Sequence, residues 1–162
     1  MNEKVLHTLE YNKILDQLTE YAFSADAKSR CQKLRPITDR AQIEQLQQQT
    51  SDSLSRLFKY GSLSFSGVTD IRDSLKRLEI GGALSAIELL RVCSLLESAK
   101  RAKAFARSQD DSDQPDDSLT ILFAGIEPLT PLCDEIRRCI LSEDEIADDA
   151  SSTLHSIRRS MR

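Results

Sequence analysis

The side chains best able to do chemistry are four cysteines, Cys31, Cys93, Cys133 and Cys139, and two histidines, His7 and His155. Thiolates and imidazoles together would make a zinc site, which needs spacings such as C-x-x-C or H-x-x-x-H. Neither spacing occurs. Cys93 falls in one apolar helical run and Cys133 and Cys139 in another, so buried free thiols are expected. His7, with polar and apolar neighbours alike, reads as a surface or boundary residue. Two acidic stretches could hold a divalent cation. Counted from Asp111, a calcium loop needs glycine at its sixth position and glutamate at its twelfth. Those positions are Asp116 and Leu122, so Asp110, Asp111, Asp113, Asp116 and Asp117 are expected in a mobile, solvated loop. Glu143, Asp144, Glu145, Asp148 and Asp149 have no accompanying histidine or second cluster at a fixed spacing. Acids near a helix start, where the dipole favours them, are the plainer account.

The phosphate-cradling pattern GxxxxGK[ST] is absent, as are GxSxG, HExxH and GxGxxG. No complete active site is visible. Arg158, Arg159 and Arg162 form the only C-terminal basic cluster. Guanidinium groups at this spacing are candidate contacts to nucleic-acid phosphates, and a solvated helix face competes with that reading. The net charge of −4 argues against nucleic-acid binding over the whole surface and leaves a local patch open.

These residues need a scaffold, and the sequence predicts an all-α one. With 162 residues the chain is one domain by length, and its five Gly and four Pro are too few for many short strands. The organising stretch is Ser85–Arg107. Ile87, Leu89, Leu90, Val92, Cys93, Leu95 and Leu96 leave Glu88, Arg91 and Ser94 as one narrow polar stripe. A helix apolar around most of its circumference must be surrounded by others. Ser85 and Glu88 make a capping box at its start. A multi-helix bundle around this central helix is therefore expected.

The other elements follow from periodicity and caps. A first helix is expected from Glu3 to about Ala22, with Leu6, Leu9, Ile14, Leu15, Leu18 and Tyr21 on one broad face. Ser24 caps a short helix ending before Arg35-Pro36. Asp39 and Gln42 open a long helix to about Tyr60, whose face is Ile43, Leu46, Thr50, Leu54, Leu57 and Phe58 and whose stop is Gly61. Ser62–Val68 is strand-like, but without a hairpin partner it reads as a loop pinned by Leu63 and Phe65. Thr69 caps a helix carrying Ile71, Leu75 and Leu78. Leu119, Leu122, Phe123 and Ile126 form a short helix that stops near Gly125. Leu132, Cys133, Ile136, Cys139 and Ile140 give another apolar face, and Ile146 anchors the acidic turn after it. Ser151 or Ser152 starts a last helix striped by Leu154, Ile157 and Met161. It runs to Arg162 with no stop signal, as if it were the start of a longer helix.

Four segments in order resemble the type-two MutS family, the bacterial MutS homologues that lack the mismatch-reading domains. Leu9-Glu10-Tyr11-Asn12-Lys13-Ile14 resembles the opening LE[FY]xKI. Phe65-Ser66-Gly67-Val68-Thr69-Asp70-Ile71 resembles F-x-G-[IV]-x-D-I. The run Gly81 to Leu90 resembles GGxLSxxELL, and Ile146 to Arg158 resembles I-x-D-x-A-S-x-x-L-x-x-I-R. Glu143-Asp144-Glu145 departs from the family, which often has an acidic residue and glycine there. The resemblance implies that residues 1–162 are the N-terminal core and lever segment of a longer parent, with 151–162 as the first turns of the lever helix. It implies a parent that is a dimeric ATPase using ATP and magnesium, usually with a C-terminal Smr endonuclease domain. Such parents suppress recombination through branched DNA, in DNA repair, or split collided ribosomes in ribosome quality control, by contact with rRNA.

The leading functional expectation is a non-catalytic module that couples nucleotide-driven motion to a clamp on DNA or ribosomes, with no catalytic, cofactor or metal residue of its own. The alternative is a freestanding helical adaptor that binds a partner helix. The unfinished last helix favours the first reading, and its apolar stripe predicts weak self-association. No apolar run approaches the ~20 residues of a membrane span. Asn2, Glu3 and Lys4 lead directly into helical text without a signal peptide, so no membrane association and a cytoplasmic location are expected.

Overall fold

The computed structural model describes residues 3–106 and 116–161. The protein is all-α. Among the described residues there are nine helices: α1 (Glu3–Thr8), α2 (Tyr11–Glu20), α3 (Ala25–Gln32), α4 (Arg40–Tyr60), α5 (Arg72–Glu79), α6 (Ala86–Ala106), α7 (Thr120–Ala124), α8 (Thr130–Cys139) and α9 (Ser152–Ser160). The chain divides into two compact units. One joins Met1–Ser66 to Ala104–Gly125, and the other joins Gly67–Lys103 to Ile126–Arg162.

In the first unit the expected single N-terminal helix is broken. Glu10 adopts a left-handed conformation at φ 55°, ending α1 and starting α2. Leu6 and Leu15 are the buried residues of this segment. Nine positions apart on a straight helix they would lie on opposite faces. The break lets both turn inward, whereas Leu9, expected on the same face, is exposed. The α1 helix packs on α2, and α2 on α3. Ser24 Oγ accepts from the Ala27 amide at 3.1 Å, the cap that starts α3. Asp39 Oδ1 accepts from the Gln42 amide at 2.8 Å at the head of α4, and Gly61 ends that helix.

The α4 face is not the expected one. Leu46, Leu54, Leu57 and Phe58 are exposed, Phe58 at 84%, while Arg56 is 3% exposed. The stripe of leucines flanks the packing face instead of forming it. Arg56 wins the interior because its guanidinium finds a full set of partners there: Asp117 Oδ2 and Oδ1, both at 2.7 Å, the Ala106 carbonyl at 3.2 Å and Thr120 Oγ1 at 3.4 Å. A buried charge persists only when it is paired and hydrogen-bonded in this way. The guanidinium also lies 5.0 Å from the centre of the Phe123 ring, which packs on Phe105, and Phe105 in turn meets Tyr60 edge-on.

In the second unit α6 behaves as its composition requires. From Ala86 to Ala99 every residue except Arg91 is buried or half-buried. Cys93 and Leu96 form the core with Cys133, Ile136 and Ile140 of α8 and its end, and Leu89, Leu90 and Val92 pack against them. The α5 helix begins after Ile71, and its first amide, Arg72 N, donates to Asp70 Oδ1 at 3.0 Å; Asp70 therefore does the work expected of Thr69. Gly81 takes φ +82°, and a Cβ on Gly82 would lie 2.6 Å from Arg77 Cγ and 2.8 Å from its carbonyl. The pair lets α5 fold back on itself before α6 starts. Glu88 then gathers both helices. Its carboxylate accepts from the Ser85 amide and hydroxyl, both at 2.9 Å, from Ser74 Oγ at 2.9 Å, and from Arg77.

Ser62–Val68 contains no strand, in line with the loop reading. Ile140 and Ile146 form one antiparallel bridge, and it is Ala147, 5% exposed, that anchors the acidic turn, while Ile146 is exposed. Asp110, Asp111 and Asp113, expected in a solvated loop, lie outside the described residues.

Candidate nucleic-acid interface

The C-terminal basic cluster is positioned by the turn between α8 and α9. Ala147 N donates to the Cys139 carbonyl at 2.9 Å, and Leu141 N to that of Glu145 at 2.9 Å, folding the turn onto the end of α8. Two arginines grip it from either side. Arg138 on α8 pairs with Glu135 at 2.6 Å and donates to the Asp149 carbonyl at 2.9 Å. Arg158 on α9 donates through Nη1 to the Ile146 carbonyl at 2.9 Å and to the Asp148 carboxylate. Ser151 Oγ accepts from the Leu154 amide at 3.1 Å, the cap that starts α9.

His155, Arg158 and Arg159 stand at i, i+3 and i+4 on α9 and therefore share a face. With Asp148 they line an open cleft of about 250 Å³. Cations in a last helical turn are favoured by the helix dipole. Arg158 is half-buried and Arg159 exposed. Arg162 lies outside the described residues. The structure thus brings two of the three sequence-predicted arginines to one cleft and adds His155 and Asp148. The signal for Asp148 was in the chain already, because it occupies the acidic position of the I-x-D-x-A-S-x-x-L-x-x-I-R segment and Arg158 the basic one.

A second cavity, of about 270 Å³, lies in the first unit among α1, α2 and the end of α3, lined by Leu6, His7, Tyr11, Asn12, Leu15, Asp16, Gln32 and Arg35. It lies beside the Glu10 break, with the buried Leu6 and Leu15 among its walls.

The thiols are all free. Cys93 and Cys133 are buried and exchange weak hydrogen bonds, each sulfur to the other's carbonyl, at 3.6 and 3.8 Å. Burial, followed by the neighbouring Cys133 thiol, pushes Cys93 up to about 11, which makes it a poor nucleophile. Among the described residues no three His, Cys, Asp or Glu side chains converge to hold a metal ion.

What sequence reading missed is the Arg56 cluster. Asp117, expected among the solvated aspartates, is the partner of Arg56. Hydrogen bonds from that guanidinium hold its carboxyl below the usual carboxylate range. Asp52, one turn before Arg56, accepts from Ser118 N at 3.0 Å and Ser118 Oγ at 2.6 Å and is likewise lowered, chiefly by that hydroxyl. An arginine interrupting an apolar helix was the available signal.

No family model matches the chain. Over its full length it is 59% identical to an endonuclease MutS2 from Agathobacter rectalis and 48% identical to one from Lachnoclostridium phytofermentans. Over 99% of its length it is 42% identical to one from Lachnospira eligens. It covers 20%, 21% and 20% of those proteins respectively, so it spans about a fifth of the length of the curated relatives it matches. A match over practically the whole chain at 42% to 59% identity places it, by sequence, in the type-two MutS family.

Proposed function

We propose that this chain is the non-catalytic helical core and lever part of a type-two MutS ATPase, coupling nucleotide-driven motion to a clamp on DNA or on collided ribosomes. The observation that carries this reading is the full-length similarity to proteins named endonuclease MutS2 that are about five times as long. The build of α6 supports it. The helix has 21 residues, a rod of about 30 Å at 1.5 Å per residue, tied to α5 through Glu88 and to α8 through the Cys93 core. A stiff body moved as a unit is what transmission of rotation needs. ATP, magnesium and the endonuclease centre belong to other parts of such a protein. Arg158, Arg159 and Arg162 face nucleic acid in this reading.

The test is a chimera in which this chain replaces the matching fifth of the Agathobacter rectalis protein. DNA or ribosomes should stimulate its ATP hydrolysis. Ser94→Pro breaks α6 at a cost of ~3 kcal/mol or more and should abolish the stimulation while basal hydrolysis persists. Glu88→Gln, which loosens α5 without touching the apolar core, should give a partial loss. Stimulation indifferent to both, or ATP hydrolysis by the 162-residue chain alone, would sink the proposal.

The same reading places a homodimer in the parent and weak self-association in this chain. On α9, Leu154 is half-buried while Ile157 and Met161 are 51% and 81% exposed. Burying such side chains yields ~25 cal/mol per Å², against association costs of ~4–15 kcal/mol, so only a weak dimer is expected. Sedimentation over a wide concentration range should show association that Ile157→Asp removes.

A further inference from the structure

We infer that the cleft formed by Asp148, His155, Arg158 and Arg159 takes a backbone phosphate of a nucleic-acid strand, and that Asp148 holds the anion's place in the free protein. This deepens, and rests on, the proposal that this end of the chain meets nucleic acid.

Arg158 is held in two ways. Its Nη1 is engaged by the Ile146 carbonyl and by the Asp148 carboxylate. The carbonyl fixes the position of the guanidinium, and the carboxylate supplies an anion to it. Both partners of the ion pair are partly open to water, with side-chain exposures of 46% for Asp148 and 38% for Arg158. A solvated pair of this kind contributes little net stability, so exchanging its anion costs little. A guanidinium already held in place by a carbonyl loses less freedom when it binds a phosphate through its remaining donors.

The other walls are suited to the same ligand. Arg159 and His155 flank Arg158 on one face of α9, so the cleft has two guanidinium groups and an imidazole against one carboxylate. Arg158 and Arg159 stand in the last turn of α9, where backbone amides are already used, so an anion beside them must be held by side chains. The volume, about 250 Å³, lies below the ~300–1,000 Å³ of sites that enclose a whole small molecule. It fits a charged group presented from outside on a strand. Contacts to backbone phosphates carry no sequence information, so binding should be indifferent to sequence.

The experiment uses the 162-residue chain and a labelled nucleic-acid duplex at low salt, with folding of each variant checked by circular dichroism. Arg159→Ala should weaken binding about tenfold and lower the slope of log affinity against log salt by about one, the signature of one lost phosphate contact. Asp148→Asn should tighten binding by roughly threefold or more, since it removes the competing anion. Two controls carry the same charge changes elsewhere on the same unit. Arg91→Ala and Asp134→Asn should each alter affinity by less than about twofold. Duplex binding indifferent to Asp148 and Arg159, or moved equally by the controls, overturns the cleft and leaves the broader reading standing. No duplex binding by the wild type overturns both. Inorganic phosphate is the remaining probe. Saturation of the cleft by inorganic phosphate, seen as shifts of the Arg159 side-chain resonances, without competition against the duplex would assign the site to free phosphate and overturn the strand.

Discussion

The two units are held together by opposite means. In the first, the deepest side chain of α4 is charged, and Arg56 draws Asp117, the Ala106 carbonyl and Thr120 around it. In the second, the deepest is Cys93, fully buried among Leu96, Cys133, Ile136 and Ile140. An apolar core depends on volume, and its strength falls smoothly as methylene groups are removed. A buried ion pair depends on completeness. Its attraction roughly offsets its desolvation when every partner is present and leaves a stranded charge when one is not. The first unit should therefore fail abruptly and the second by degrees.

The largest effect tests that contrast directly. Arg56→Ala should cost about 3 kcal/mol or more in chemical denaturation, because Asp117 would be left half-buried without its partner. Arg56→Met combined with Asp117→Leu should recover most of that loss, since an apolar pair of similar volume is often as stable. If the double variant is as unstable as the single one, the pair contributes more than the contrast allows.

Next comes the apolar core. Leu96→Ala should cost ~2–5 kcal/mol and the half-buried Leu90→Ala less, while Gln48→Ala on the exposed face of α4 should stay under ~0.5 kcal/mol. Equal shifts at Leu96 and Gln48 would show that α6 is packed otherwise than described.

A smaller effect follows from pH. The Asp117 carboxyl titrates below its ordinary value because Arg56 hydrogen-bonds the charged form. A depressed folded value means that the contribution is complete above the unfolded value of about 3.9 and is lost as pH falls through the folded one. Stability should thus fall on acidification below about pH 4, and Asp117→Asn should flatten that fall at the expense of stability near neutrality. A slope unchanged in the Asn variant would mean that other carboxylates govern acid unfolding.

The smallest effect is chemical. Iodoacetamide should modify Cys31 and Cys139, both half-buried, in the folded chain, and Cys93 and Cys133 only on unfolding. Native labelling of Cys93 at the rate of Cys139 would show that the second core opens far more readily than its packing implies.

How much could be read in advance follows the same division. The apolar periodicity of α6 and α8, the caps at Ser24, Asp39 and Ser151, and the stop at Gly61 are local properties, and each is where the residues place it. The Glu10 break was not legible, because Leu9-Glu10 carries no breaker and only the need to bury Leu6 and Leu15 together selects it. The α4 face was misread for a related reason. Hydropathy ranks Leu46, Leu54 and Leu57 above Arg56, and the ranking reverses only when residues some sixty positions away supply the guanidinium's partners. At the candidate site, Arg158 and Arg159 were visible as charges, whereas the engagement of Arg158 by Asp148 depends on a turn that no period reveals.

The Arg56 guanidinium has one consequence for the chain as a polymer. It binds the Ala106 carbonyl at one end of residues 107–116 and the Asp117 carboxylate at the other. The distance between those two points is thus set from outside the segment that joins them. For a segment whose ends are fixed in this way, doubling the length costs only ~0.6 kcal/mol in closure entropy. The guanidinium thus acts as a noncovalent staple, holding the end of α6 and the approach to α7 at a set spacing whatever length of chain joins them.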